Sequence, residues 1–144
     1  MANPVYLTLN GQRQGLISTG CSSLASIGNK AQLKHLDQIM VMSLNHGLSR
    51  VQNVNHLMLT FRKPVDKSSP LLSKAISENE CLTYDFDFYR TNRFGINEMY
   101  YRIKLSTARI AKIDLIVPHT ITSTQGQHEE SVSFTYDSIS WEHC

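Results

Sequence analysis

Long apolar runs are missing from this chain of 144 residues. No window reaches the roughly 18 apolar residues that a membrane-spanning helix needs. The opening MANPVYLTLNG lacks a basic stretch followed by an apolar run, so it does not read as a secretory leader. The expectation is a chain made and folded in the cytoplasm, without membrane insertion. Cysteine is scarce too. Cys21, Cys81 and Cys144 are odd in number, far apart and form no C-x-x-C pair. That spacing excludes a disulfide framework and a paired-cysteine zinc site, and free thiols are expected. Charge is sparse: 18% of residues are Asp, Glu, Lys or Arg, against about 25% in ordinary soluble domains. A thinly charged surface suits one that is partly covered by partner subunits. The net charge is only +2, from 14 basic and 12 acidic residues that form no block. A nucleic-acid partner would call for clustered cations with interleaved aromatics, so none is expected.

Motifs that carry chemistry are also lacking. Gly20–Ser23 reads GCSS, without the G-x-S-x-G of a nucleophile turn. Gly11 and Gly15 flank a turn that has no G-K-[ST] element for phosphate. The six histidines, His35, His46, His56, His119, His128 and His143, form no H-x-H or H-x-x-x-H pair. Asp85 and Asp87 share one side of a strand, and we read them as a solvated polar face rather than an acid–base pair. No catalytic residue, metal or cofactor is therefore expected. The two rival readings are a small hydrolase using Cys21 or a histidine-bound metal, and a monomeric ligand-binding barrel.

What the sequence does contain is alternation. Val5–Asn10 alternates apolar and polar residues and runs into Asn10-Gly11, a strong hairpin signal. His35–Gly47 and His56–Val65 read as strands. Cys81–Arg90 puts Leu82, Tyr84, Phe86 and Phe88 on one face. NEMYYRIKLS, ARIAKIDLIVP and ESVSFTYDSISWEH complete the set, with turns at TNRFGIN and TSTQGQHEE. About eight strands in this length predict a mainly β domain over residues 1–144, a barrel or sandwich. Thr19–Gln32 reads as an ordered surface loop. Asn45–Asn55 is long for a hairpin connection, and such loops tend to be functional.

One stretch breaks the alternation. KPVDKSSPLLSKAISENE (63–80) predicts a helix of about ten residues over 69–79. Ser69 caps it, Pro70 stands at its first position, and Asn79 ends it. Leu71, Leu72, Ala75 and Ile76 form its apolar face. A helix this short is marginal alone, so it must pack on the strands, closing an open end.

The same stretch, with NPVYLTLNGQRQGLIS, GCSSLASIGNKAQ, FGINEMYYRIKL and EESVSFTYDSISWEH in order, resembles the haemolysin-coregulated protein (Hcp) family over essentially the whole chain. Asp66–Pro70 is the most specific element. Members of that family form the inner tube of bacterial type VI secretion systems. The resemblance implies a phage tail-tube-like barrel with one flanking helix. It implies homohexameric rings that stack into a tube, carry small effector proteins in the lumen, and meet sheath and spike proteins. The protein would leave the cell without a signal peptide. By position, Asp37, Ile39, Val41 and Ser43 would face the channel. His46, Leu48, Ser49, Arg50, Val51, Gln52 and Asn53 would form the loop that reaches the next ring.

Overall fold

The computed structural model describes residues 3–28, 35–119, 121 and 128–144. The expected turn TSTQGQHEE and the end of the Thr19–Gln32 loop fall largely outside the described residues. Strands β1 (Val5–Gly11) and β2 (Gly15–Leu16) form the hairpin signalled by Asn10-Gly11. Behind them come β3 (Ile39–Val41), β4 (Ser43–Asn45), β5 (Leu48–Arg50), β6 (Val54–His56) and β7 (Leu59–Pro64). Helix α2 (Ser68–Ser77) then leads to β8 (Leu82–Thr91), β9 (Asn97–Ile116) and β10 (Glu129–His143). The Thr19–Gln32 stretch is not wholly a loop, because Leu24–Ile27 makes a four-residue helix, α1.

Every pairing is antiparallel. The main sheet among the described residues has eight strands and runs β2-β1-β8-β9-β10-β7-β4, with β3 on β1. Its two ends are the same piece of chain. β3 pairs with β1 and β4 with β7, and only Met42 lies between them, its N–H donating to the Arg62 carbonyl at 2.7 Å. The sheet is therefore closed into a barrel, which removes two edges. The expected single strand across residues 35–47 is instead two short strands that change partners at Met42. The runs read as two strands at 97–106 and 108–118 are one 20-residue strand, β9. Its alternation changes phase because Thr107 adopts φ 52° beside a register shift against β8. A second shift against β10 follows at Ser133/Phe134. Bulges of this kind insert a residue and flip which face follows.

The barrel interior is solidly filled. Leu7, Leu9, Ile39, Leu59, Phe61, Tyr84, Phe86, Leu105, Val132 and Phe134 are wholly buried. Tyr84 stacks on Phe134 with ring centroids 3.9 Å apart, and Phe61 meets Phe86 edge-on at 5.5 Å. Offset and edge-on aromatic pairs of this sort add about 0.5–1.5 kcal/mol each beyond area burial. Helix α2 buries Leu72 and Ala75 against this core, with Leu71 and Ile76 partly covered, the face expected from the sequence.

The helix ends show how the sequence fixes α2. Its start corrects the expected cap. The helix begins at Ser68, and it is the Asp66 carboxylate that accepts from the Ser68 N–H at 2.9 Å. Ser69 instead turns back, its hydroxyl accepting from the Asp66 N–H at 3.1 Å. Pro70 lies in the first turn, where its missing N–H costs nothing. At the other end Asn79 takes φ 51°, the Glu80 N–H reaches the Ala75 carbonyl and the Asn79 N–H reaches Ile76. This is a Schellman ending, with Asn79 in the left-handed position usually held by glycine.

Candidate assembly surfaces

The two groups of residues singled out from the sequence fare differently. The segment 45–55, expected as a loop, is a β-hairpin. Leu48, Ser49 and Arg50 pair with His56, Asn55 and Val54 in a two-stranded sheet of their own. Val51, Gln52 and Asn53 form its exposed tip, and Val51 is 97% exposed. Leu48 and Val54 also stand half in water. The result is an apolar-tipped arm. At its base Leu57 N–H donates to the Gly47 carbonyl at 3.1 Å. His46 belongs to that base rather than the tip: it is half-buried, and its Nε2 is hydrogen-bonded to the Tyr136 hydroxyl.

The four residues expected to face a channel do not share a face. Ile39 and Val41 point into the barrel core and are corrected here from channel-facing to core residues. Asp37 and Ser43 are exposed. The assignment by position fails because the strand changes partners at Met42, after which Leu44, not Ser43, packs on the core. Asp37 is held by accepting from the Gly20 N–H at 2.9 Å.

A third surface was not singled out from the sequence. β10 pairs with β9 along its length, but with β7 only over Glu129–Phe134. Beyond Phe134, residues 135–143 have a ladder on one side only. Trp141 lies on this stretch and is 44% exposed. Nothing in the alternation of ESVSFTYDSISWEH reveals that β7 stops halfway along it.

Two polar clusters lie elsewhere. Lys63 is fully buried, and its Nζ donates to Glu130 Oε1 at 2.8 Å, Asp66 Oδ1 at 3.0 Å, Ser69 Oγ at 3.1 Å and the Pro64 carbonyl at 3.2 Å. This joins the N-terminus of α2 to β7 and β10. The Glu80 carboxylate does the same at the other end of the helix. It accepts from the N–H groups of Arg13 and Gln14 in the β1–β2 turn at 3.3 and 3.2 Å. A Cβ at Gly11 would stand 2.0 Å from Glu80 Oε2, so a larger residue there would push this carboxylate away from the turn it holds.

The second cluster overturns the reading of Asp85 and Asp87 as a solvated face. Asp87 is buried, bonded to Arg102 Nε at 2.7 Å and to Gln38 Nε2 at 3.1 Å. Gln38 in turn bonds His35, whose ring stacks on Tyr6 at 3.8 Å. The segment that precedes β3 covers this face, which strand alternation alone does not report.

The rival reading of a cysteine hydrolase rests on Cys21. The Cys21 thiol is fully buried, and burial, then the nearby Asp66 charge, pushes its pKa up to about 12. A nucleophilic cysteine needs the opposite shift. Among the described residues no group of three or more His, Cys, Asp or Glu side chains converges as a metal site. Large apolar side chains fill the barrel interior. No described helix is long and apolar enough to cross a membrane.

Comparison with known proteins accords with a closed barrel and one substantial helix. The sequence model described as "Type VI secretion system effector, Hcp" matches residues 6–143. The chain belongs to the Hcp family. It is 36% identical to the major exported protein of Pseudomonas aeruginosa, over 99% of this chain and 90% of that one. It is 40% identical to YhhZ of Escherichia coli K12, again over 99% of this chain, but it spans only 36% of YhhZ. Among solved structures, a crystal structure of an Hcp protein superposes with a TM-score of 0.93 at 32% identity, covering 99% of this chain and 92% of that one. The secreted Hcp3 of Pseudomonas aeruginosa gives 0.89 at 36% identity, with 99% and 91% covered. The mainly β fold of this chain is thus the Hcp fold, and the chain is a type VI secretion protein related to an exported one.

Proposed function

We propose that this chain, acting as one domain over residues 1–144, is the structural subunit of a type VI secretion inner tube. Six copies close into a ring, and rings stack into a tube that leaves the cell. Small effector proteins ride in the lumen, and the tube works with sheath and spike proteins. The subunit performs no reaction of its own.

The observation that carries this reading is the one-sided ladder of β10 beyond Phe134. A strand with unpaired N–H and C=O groups is a template for another chain. Paired with a different surface of the next copy, it makes a heterologous contact, which closes into a ring when the rotation allows. The β5–β6 arm supports the stacking half of the proposal. Its exposed Leu48, Val51 and Val54 offer a small apolar contact, suited to rings that associate weakly until a tube is nucleated.

Sedimentation and negative-stain microscopy of the purified protein test it. The expected particle is a ring with a central hole and six times the 16.3 kDa chain mass. A monomer at every concentration examined would sink the reading. A Ser138→Lys/Trp141→Lys variant, which charges the free edge, is expected to lose the ring while keeping its fold.

A further inference from the structure

The base of the β5–β6 arm is fastened to the barrel wall by a single phenol between two imidazoles. His46 lies just before β5 and His56 closes β6. Tyr136 is on β10. The Tyr136 hydroxyl bonds His46 Nε2, lies 3.4 Å from His56 Nδ1, and also reaches the Leu57 carbonyl at 3.4 Å. Both imidazole rings meet the Tyr136 ring edge-on, with centroids at 5.7 and 5.8 Å. Beside them is a cavity of about 350 Å³ lined by His56, Tyr136, Asp137, Ser138, Ile139 and Trp141.

We propose that this trio is an acid-sensitive clasp: with both histidines neutral it holds the arm against β10, and with both protonated it lets the arm go. A hydroxyl has one proton to give and lone pairs to accept with, so it can serve two neutral imidazoles together. Two imidazolium rings can both still donate to the phenol oxygen while its own proton turns to the Leu57 carbonyl, so it is their mutual repulsion across the phenol that loosens the clasp. Burial, then the charge of His56, lowers the pKa of His46 below its ordinary 6.5. The sign follows. The attached arm favours neutral His46, so the clasp is whole above about 6.5 and weakens as pH falls through the lowered value. Two other charged groups lie on the elements that carry the trio: Arg50 on β5, paired with Val54 of β6, and Asp137, next to Tyr136 on β10 and lining the cavity with His56. The proposal does not depend on ring formation.

Amide hydrogen exchange, corrected for intrinsic rates, tests it between about pH 7.5 and about pH 5, the histidine range. The Leu57 amide and those of residues 48–56 should lose protection by about tenfold at the lower pH. That is a small, water-screened part of the repulsion between two like charges gathered on one hydroxyl. A His46→Gln variant keeps a hydrogen-bonding group and should show no pH step. Tyr136→Phe should exchange fast at both pH values. Unchanged arm protection in the parent protein overturns the proposal. So does a full pH step in His46→Gln, slow exchange in Tyr136→Phe, or an equal loss in β8, which would mean global acid unfolding.

Discussion

The ammonium of Lys63 sits out of water among Asp66, Glu130 and Ser69. Taking one partner from a buried ion cluster leaves the others desolvated and unpaired, which costs about 3–5 kcal/mol. Lys63→Met should therefore lower the free energy of unfolding by about that much in urea titration. Adding Glu130→Gln should return part of it, because one stranded charge goes with the cation. In the sequence Lys63 looks like one of the scattered basic residues. Its burial follows from where β7, β10 and α2 meet, and no local pattern encodes that. A second residue-scale prediction concerns thiols. Cys144 is exposed and Cys21 is buried with its pKa near 12. Iodoacetamide at about pH 8, well below that value, should alkylate Cys144 in the native protein and leave Cys21 untouched until denaturant is added. Labelling read by mass spectrometry checks it, and prompt native labelling of Cys21 would contradict the packing described.

Helix α2 was legible as an element because its cues are local. Two prolines, a run of serines and an i, i+1, i+4, i+5 apolar face all lie within eighteen residues. Asn79 was legible as its stop for the same reason. With φ 51° it occupies a region that costs an ordinary residue about 1–2 kcal/mol. Asn79→Ala should destabilise by about 1 kcal/mol and Asn79→Gly by little or nothing, in thermal or urea unfolding. Thr107 in β9 is the opposite case. A β-branched residue at φ 52° is strained, and nothing in YRIKLSTARIAKI announces a bulge. Thr107→Gly should raise the free energy of unfolding in urea titration slightly, by no more than about 1 kcal/mol, since glycine's larger unfolded freedom offsets part of the relief. Strand boundaries set by a change of partner were likewise hidden. Residues 35–47 read as one unbroken β-compatible stretch with an apolar run at 39–42, so the division at Met42 and the inward turn of Ile39 and Val41 come only from the barrel's closure.

For the whole molecule, the family resemblance implied the barrel with one flanking helix, and period-2 patterning sufficed to predict a mainly β domain, barrel or sandwich. It could not predict which strands end as free edges, because that depends on relative strand lengths: β7 has six residues and β10 fifteen. The arm is the surface on which assembly can be separated from folding. Leu48 and Val51 make no core contact, so Leu48→Asp with Val51→Asp should leave the unfolding midpoint unchanged within about 0.5 kcal/mol. On the tube reading, the same variant should form rings of normal mass that elongate poorly, seen by light scattering and microscopy. Rings that fall apart instead would place the arm within the ring contact rather than between rings.

A hoop is only as continuous as its narrowest join. In this wall the join is Ile39–Asn45, which meets β1 and β7 through three residue pairs each, while the seams on the far side run for nine and fourteen. A mechanical load, or a passing protease, would therefore find the clasp of the bracelet before any of its links. Once it parted, the curl would open flat and its greasy lining would meet water all at once. A first proteolytic nick between residues 38 and 46 would be the mark of such unbuckling.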